Sequence, residues 1–114
     1  MAGLAQLHSA ADFERVRRDG RSHAHPLAVL IAQANARAET RWGFAASRAV
    51  GKATARNRAK RLLREAARAR NQDVAPGWDL ILIARAPLAG AGLSQAQEAV
   101  DNLLKRARVL RNNG

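Results

Sequence analysis

An α/β fold, a sheet with helices packed on it, is predicted by three observations. Hydrophobic patterning along the chain runs helix, two or three strands, helix, strand, helix. The stretch WDLILIAR, Trp78 to Arg85, is almost continuously apolar, which suits a central strand covered on both faces. The segment from Ala53 to Gln72 contains strong helix formers with no Gly or Pro. A length of 114 residues fits a single domain, 1–114, with short flexible termini.

The elements follow in order. Ser9 to Arg18 reads as a first helix, with Ser9 as its N-cap, Phe13 and Val16 on one face, and Gly20 ending it in a left-handed conformation. Arg21 to Ala24 carries a weak strand signal. LAVLIAQ, Leu27 to Gln33, is β-rich and follows Pro26, and RWGFAAS, Arg41 to Ser47, reads as the next strand. Pro76 and Gly77 close the connection behind the long helix, and Trp42 and Trp78 are expected to pack at strand starts. Pro87 to Gly92 reads as a loop. The last helix is expected near Ser94, whose spacing to Gln97 fits a capping box, with Leu93, Val100, Leu103, Leu104, Ala107 and Leu110 as its packing stripe.

A net charge of +11 and a pI near 11.8 point to a phosphate-rich partner, nucleic acid ahead of an anionic membrane. The chain has no Cys, which excludes disulfides and thiolate metal sites. Its first residues show no basic stretch leading into an apolar core, and no run approaches the 18 apolar residues of a bilayer span. A cytoplasmic protein is the expectation.

The charge is concentrated. Between Lys52 and Asp73 stand eight basic and two acidic residues, a net of +6. Set at 100° intervals, Ala55, Ala59, Leu62, Leu63 and Ala66 form a narrow packing stripe. Asn57, Lys60, Arg61, Arg64 and Arg68 lie on the opposite arc, with Arg56 and Arg58 on its flanks. Glu65 can offset Arg61 and Arg68, and most of the remaining repulsion awaits an external polyanion. Guanidinium forks match phosphate oxygens, and Asn can donate to and accept from phosphate, ribose or a base edge. Gly51 and Lys52 before the helix can turn backbone N–H groups toward an anion. GKAT is no P-loop, because the glycine pattern before it is incomplete and Ala53 follows Lys52.

No protein-borne reaction centre emerges. The acidic residues include no close strand-borne pair of the kind a two-metal nuclease uses, and Asp12 and Asp79 read as capping or solvated groups. His23 and His25 alternate, so they would share one strand face as nucleic-acid contacts or a weak metal pair. Phe13 is either core or a platform for a nucleotide base. With two Phe, two Trp and no Tyr there is little material for stacking several bases.

GKATARNRAKRLLRE, with its Arg56-Asn57-Arg58 core followed by Lys60-Arg61 and Arg64-Glu65, resembles the RNR segment of the bacterial ribonuclease P protein family. DFERVRRDG before it, RWGFAASRAVGKA leading into it and GWDLILIAR after it stand in the matching order, so the resemblance covers about residues 6 to 110. It implies a two-layer sandwich like the second domain of ribosomal protein S5, in α-β-β-β-α-β-α order with a left-handed βαβ crossover. It implies that the chemistry belongs to a catalytic RNA subunit, which removes the 5′ leader of precursor tRNA with Mg²⁺ held mainly by the RNA. The protein would contribute no catalytic residue, no metal ligand and no obligate protein partner. Lys52, Arg56, Asn57, Arg58, Lys60, Arg61, Arg64 and Arg68 would contact the catalytic RNA or support those contacts. Phe13, Arg17, Ile31, Ala45, Ser47 and Arg48 would line a cleft for the 5′ leader. Two positions depart from the family pattern. Arg17 replaces a common aromatic, and Ser47-Arg48-Ala49 has one basic group fewer, so the cleft would stack less and attract phosphate more.

Other functions are less well matched. A structured-RNA-binding protein of ribosomal or chaperone type would share the basic helix but not stimulate precursor-tRNA cleavage. A DNA-recognition helix lacks the helix-and-turn that should precede it, since RWGFAAS is strand-like. The alanine-rich apolar face suits no membrane surface.

Overall fold

The computed structural model describes residues 3–111. The termini expected to be flexible therefore lie partly outside the described residues, at 1–2 and 112–114. Helix α1 spans Ala10–Asp19, strands β1, β2 and β3 span Arg21–Ala24, Ala28–Ala34 and Arg41–Ala46, helix α2 spans Ala53–Arg70, strand β4 spans Trp78–Ala84, and helix α3 spans Leu93–Ala107. The weakest strand signal, Arg21 to Ala24, is a strand after all.

Sheet order is β1-β2-β4-β3. Strand β2 pairs antiparallel with both β1 and β4, while β3 and β4 are parallel and joined through α2. That places β4 centrally, as its apolar run requires, and leaves β3 at an edge. Helices α2 and α3 cover one face of the sheet. Leu30, Trp42, Leu63, Leu80, Leu82, Leu103 and Leu104 meet there with no exposed surface. Each such Leu contributes about 1.5–3 kcal/mol by leaving water. Helix α1 lies on the other face, where Val16 packs with Leu7, Ile31 and Ile81.

The helix ends differ from expectation in two places. Ser9 caps α1 as its sequence predicts, its Oγ accepting from the Asp12 N–H at 3.0 Å. Gly20, however, is extended at φ −79°, not left-handed. Its glycine is required by crowding: a Cβ there would stand 2.6 Å from the Val16 carbonyl oxygen and 3.0 Å from that of Ala32. Because those atoms are backbone, Gly20→Ala is expected to lower stability by about 1–3 kcal/mol, read as a fall in Tm. Helix α3 starts at Leu93, and its cap is the Gln95 side chain accepting from the Gly92 N–H at 2.7 Å, not Ser94 with Gln97. Starting earlier turns Leu93 outward, 42 % exposed and off the stripe that Val100, Leu103 and Leu104 form.

Two further boundaries shift. Helix α2 stops at Arg70, and Asn71–Asp73 tighten into a 3-10 turn in which the Asn71 Oδ1 accepts from Trp42 Nε1 at 2.9 Å. The loop expected at Pro87 to Gly92 contains a 3-10 turn, Ala86–Gly90, held down by buried Leu88.

Candidate nucleic-acid interface

The α2 stripe packs as the 100° arrangement predicts. Ala59, Leu63, Ala66 and Ala67 are buried, with Ala55 and Leu62 partly buried at the edges. Small side chains let the helix lie close to the sheet, which brings its polar arc level with the β3 edge. On that arc Asn57, Arg61 and Arg68 are exposed, and Arg56, Lys60 and Arg64 are half-buried. Gly51 takes φ 126°, a conformation only glycine adopts readily, and turns the chain into α2 with Lys52 exposed at the N-cap.

Where the arc meets residues 44–46 lies an open depression of about 330 Å³, lined on the helix side by Ala53, Arg56, Asn57 and Lys60. Phe44 forms part of its wall. The ring stacks parallel to Trp42 at 6.2 Å between centroids, and the Arg64 guanidinium sits 5.3 Å from its centre. Phe44 belongs to this surface although the sequence reading left it out; its two-residue spacing from Trp42 was the available signal.

The basic residues divide by what holds them. Arg68 pairs with Glu65, and Arg70 with Asp73 and Asp101. Arg58 points away from the rest, donating to the Ala89 and Ala91 carbonyls, each at 3.0 Å, and so fastening the loop before α3. Among the described residues, no carboxylate pairs with Lys52, Arg56, Lys60, Arg61 or Arg64. Glu65 thus relieves Arg68 but not Arg61.

The opposite face of the sheet holds the other predicted group. Register aligns three rows there: Gln33, Asp79 and Arg41; then Ile31, Ile81 and Gly43; then Val29, Ile83 and Ala45. Helix α1 covers the first two. Phe13 is half-buried and Arg17 is exposed one turn further on. Ile31, only 7 % exposed, is a floor beneath α1 and not an open wall. Ala45 and Ser47 are half-buried on and just past β3, and Arg48 is exposed in the turn that follows. Val29 and Ile83, half-buried beside Phe13 and Ile31, extend the same surface. They escaped the sequence reading because strand pairing, not spacing along the chain, brings them into one row. The two predicted surfaces therefore meet across the β3 edge.

An ionic cluster holds α1 in place. Asp79, with no exposed surface, accepts from Arg41 Nε at 2.9 Å and a second Arg41 nitrogen at 2.8 Å, from Asn35 at 2.9 Å, and from Arg15 of α1 at 2.7 Å. Arg15 also donates to Gln33 and, at 3.2 Å, to Asp12. The expectation of capped or solvated carboxylates fails here. Asp79 is the buried centre of the network and Asp12 a half-buried partner, because three strands and a helix converge where the chain alone shows only a strand start. Burial pushes the Asp79 carboxyl up, but hydrogen bonds from Arg41, Asn35 and Arg15 outweigh it and hold the pKa down to about 2. Asp12 is also lowered, chiefly by its hydrogen bond from Arg15.

The histidine pair dissolves. Strand β1 ends at Ala24, and His25 turns back so that its Nδ1 accepts from the Leu27 N–H at 3.0 Å, closing the β1–β2 turn. Among the described residues no three His, Cys, Asp or Glu side chains converge on a metal-sized site. Among the described residues no helix is long and apolar enough to cross a membrane.

Comparison with known proteins gives the family of the chain. A family model described as Ribonuclease P matches residues 1–108. The chain belongs to the ribonuclease P protein family. It is 45 % identical over 105 residues to the ribonuclease P protein component of Herpetosiphon aurantiacus, covering 91 % of this chain and 85 % of the relative. The Roseiflexus castenholzii protein component is 42 % identical over 106 residues, covering 92 % and 87 %. Among solved structures, the Staphylococcus aureus RNase P protein superposes with a TM-score of 0.83 at 30 % identity, covering 93 % of this chain and 97 % of that one. The RNase P protein from Thermotoga maritima gives 0.79 at 30 % identity, covering 89 % and 96 %. The α/β sandwich is the fold of this family. Within ribonuclease P, the family's role is that of the RNA-binding protein subunit that aids removal of the 5′ leader from precursor tRNA.

Proposed function

We propose that the α2 arc grips the catalytic RNA while the face beside α1 guides the 5′ leader, and that hydrolysis occurs at Mg²⁺ ions held mainly by the RNA. The observation that carries this division is a cluster of five cations that pair with no carboxylate among the described residues, Lys52, Arg56, Lys60, Arg61 and Arg64, gathered along one side of α2 with Asn57 among them. Arg15, Arg41, Arg68 and Arg70, by contrast, are each paired with a carboxylate of the fold. A polyphosphate neutralises the free set and releases counterions as it does so. Arg58 acts as a support, holding the loop beside the arc. Placing the metal on RNA agrees with the chemistry of the carboxylates, since Asp79 is saturated by guanidinium and amide donors.

On the other face, Phe13 supplies one aromatic surface and Arg17 a positive charge one helical turn away. Ala45, Ser47 and Arg48 continue toward α2, so a leader strand lying there would run directly into the RNA-gripping arc.

Mixing the catalytic RNA with precursor tRNA at low Mg²⁺, with and without this chain, tests the proposal. Cleavage is expected to rise on adding the protein, and affinity to rise more for leader-bearing precursor tRNA than for the same tRNA without its leader. Absence of stimulation at every protein concentration would contradict it.

A further inference from the structure

The row Ile31, Ile81 and Gly43 has a gap at its third position. Isoleucines fill the first two places, while Gly43 on β3 presents no side chain, and yet the residue is buried. Phe13 of α1 fills the space. A Cβ built on Gly43 would stand 2.5 Å from Phe13 Cζ and 3.0 and 3.1 Å from its two Cε atoms. No real Cβ tolerates the first distance, so the ring is seated where only glycine allows it. One row away, Arg15 and Asp12 of α1 are bound to Asp79 and Arg41. Helix α1 cannot simply ride up to make room without straining that cluster. Beyond the seat, Val29, Ile83 and Ala45 stay half-exposed.

We infer that Gly43 is a positioning residue for the 5′ leader: by giving the Phe13 ring a seat on the sheet, it fixes the height of the aromatic wall of the cleft. This rests on the reading of that face as the leader site. The ring tip is the mobile end of a side chain, so Gly43→Ala displaces Phe13 and leaves the backbone in place. The displaced ring occupies the cleft in which a leader base would otherwise lie.

A double-mutant cycle in the holoenzyme tests this. The readout is the ratio of affinities for precursor tRNA and for the same tRNA lacking its 5′ leader, measured for wild type, Gly43→Ala, Phe13→Leu and the double variant. Leu lacks the Cε and Cζ atoms that a Cβ at position 43 would strike. Gly43→Ala is expected to reduce the ratio at least about fivefold, the lower end of the loss when a base–aromatic stack is removed. Affinity for leaderless substrate should not move. In the Phe13→Leu background the added alanine should cost nothing further.

An unchanged ratio for Gly43→Ala would overturn the inference. So would a loss shared equally by leaderless substrate, or the same loss recurring with Phe13→Leu. If Gly43→Ala does not fold, whether or not Phe13→Leu restores folding, Gly43 serves the fold and the positioning role is wrong. If the wild-type holoenzyme itself does not distinguish leader-bearing from leaderless substrate, the reading of the cleft fails and takes the inference with it.

Discussion

Asp79→Ala is expected to destabilise the fold by about 3–5 kcal/mol, the cost of stranding a buried partner charge. Arg41, 8 % exposed, would keep its guanidinium in the interior with only Asp12, 3.6 Å away, to face it. Arg15 would lose its 2.7 Å contact with β4, and α1 one of its attachments to the sheet. Chemical denaturation measures the loss directly. The same residue sets an acid limit. Its carboxyl sits at about 2 in the folded chain against an ordinary 3.8, so the folded state binds the proton less readily than the unfolded one. Its contribution to stability is therefore complete above pH 3.8, declines as the pH falls between these values, and is gone below about 2. Asp79→Asn, which retains shape but not charge, should flatten that part of the stability–pH curve. An unaltered acid limb in Asp79→Asn would mean that another group carries it.

Replacing Arg56, Lys60 and Arg61 together by Ala should weaken binding to the catalytic RNA and make the plot of log K against log salt shallower by about 2 to 3 units, roughly 0.7–0.9 for each phosphate contact removed. The fold should not suffer, because none of the three is paired with a carboxylate among the described residues. Arg58→Ala should behave in the opposite way. Its guanidinium is spent on the Ala89 and Ala91 carbonyls, so its loss costs about 1–2 kcal/mol of stability and leaves the salt slope nearly unchanged. Asn57→Ala should lower affinity without changing the slope, since no charge is removed. Fluorescence titrations of the RNA at several salt concentrations, beside thermal melts, separate these three outcomes. A full drop in slope for Arg58→Ala would show that it contacts phosphate in the complex.

Local chemistry carried much of this protein in plain view. The 3.6-residue period of α2 separated Leu63 and Ala66 from Asn57 and Arg61, and the helix in the fold faces as that period demands. The apolar run of β4 announced a central strand because strands covered on both faces admit few polar residues. The RNR segment named its family because charge, spacing and flanking order all reside in consecutive residues.

What stayed hidden depends on groups far apart in the chain. Asp79 meets Arg15 across 64 positions and Arg41 across 38, so nothing near WDLILIAR marks the carboxylate as the hub of a buried network. Arg58 looks like its neighbours in RNR, and only the approach of the 86–91 loop gives its guanidinium two carbonyls to fasten. Gly20 and Gly43 gave no sign of why they are glycines; both answers are distances, to the carbonyls of Val16 and Ala32 and to the ring of Phe13. Periodicity and motif report what each residue offers to its immediate surroundings. Which charges are spent inside the fold, and which are left for RNA, is settled by long-range approach and burial, because desolvation and partner geometry exist only once the sheet and helices have closed on each other.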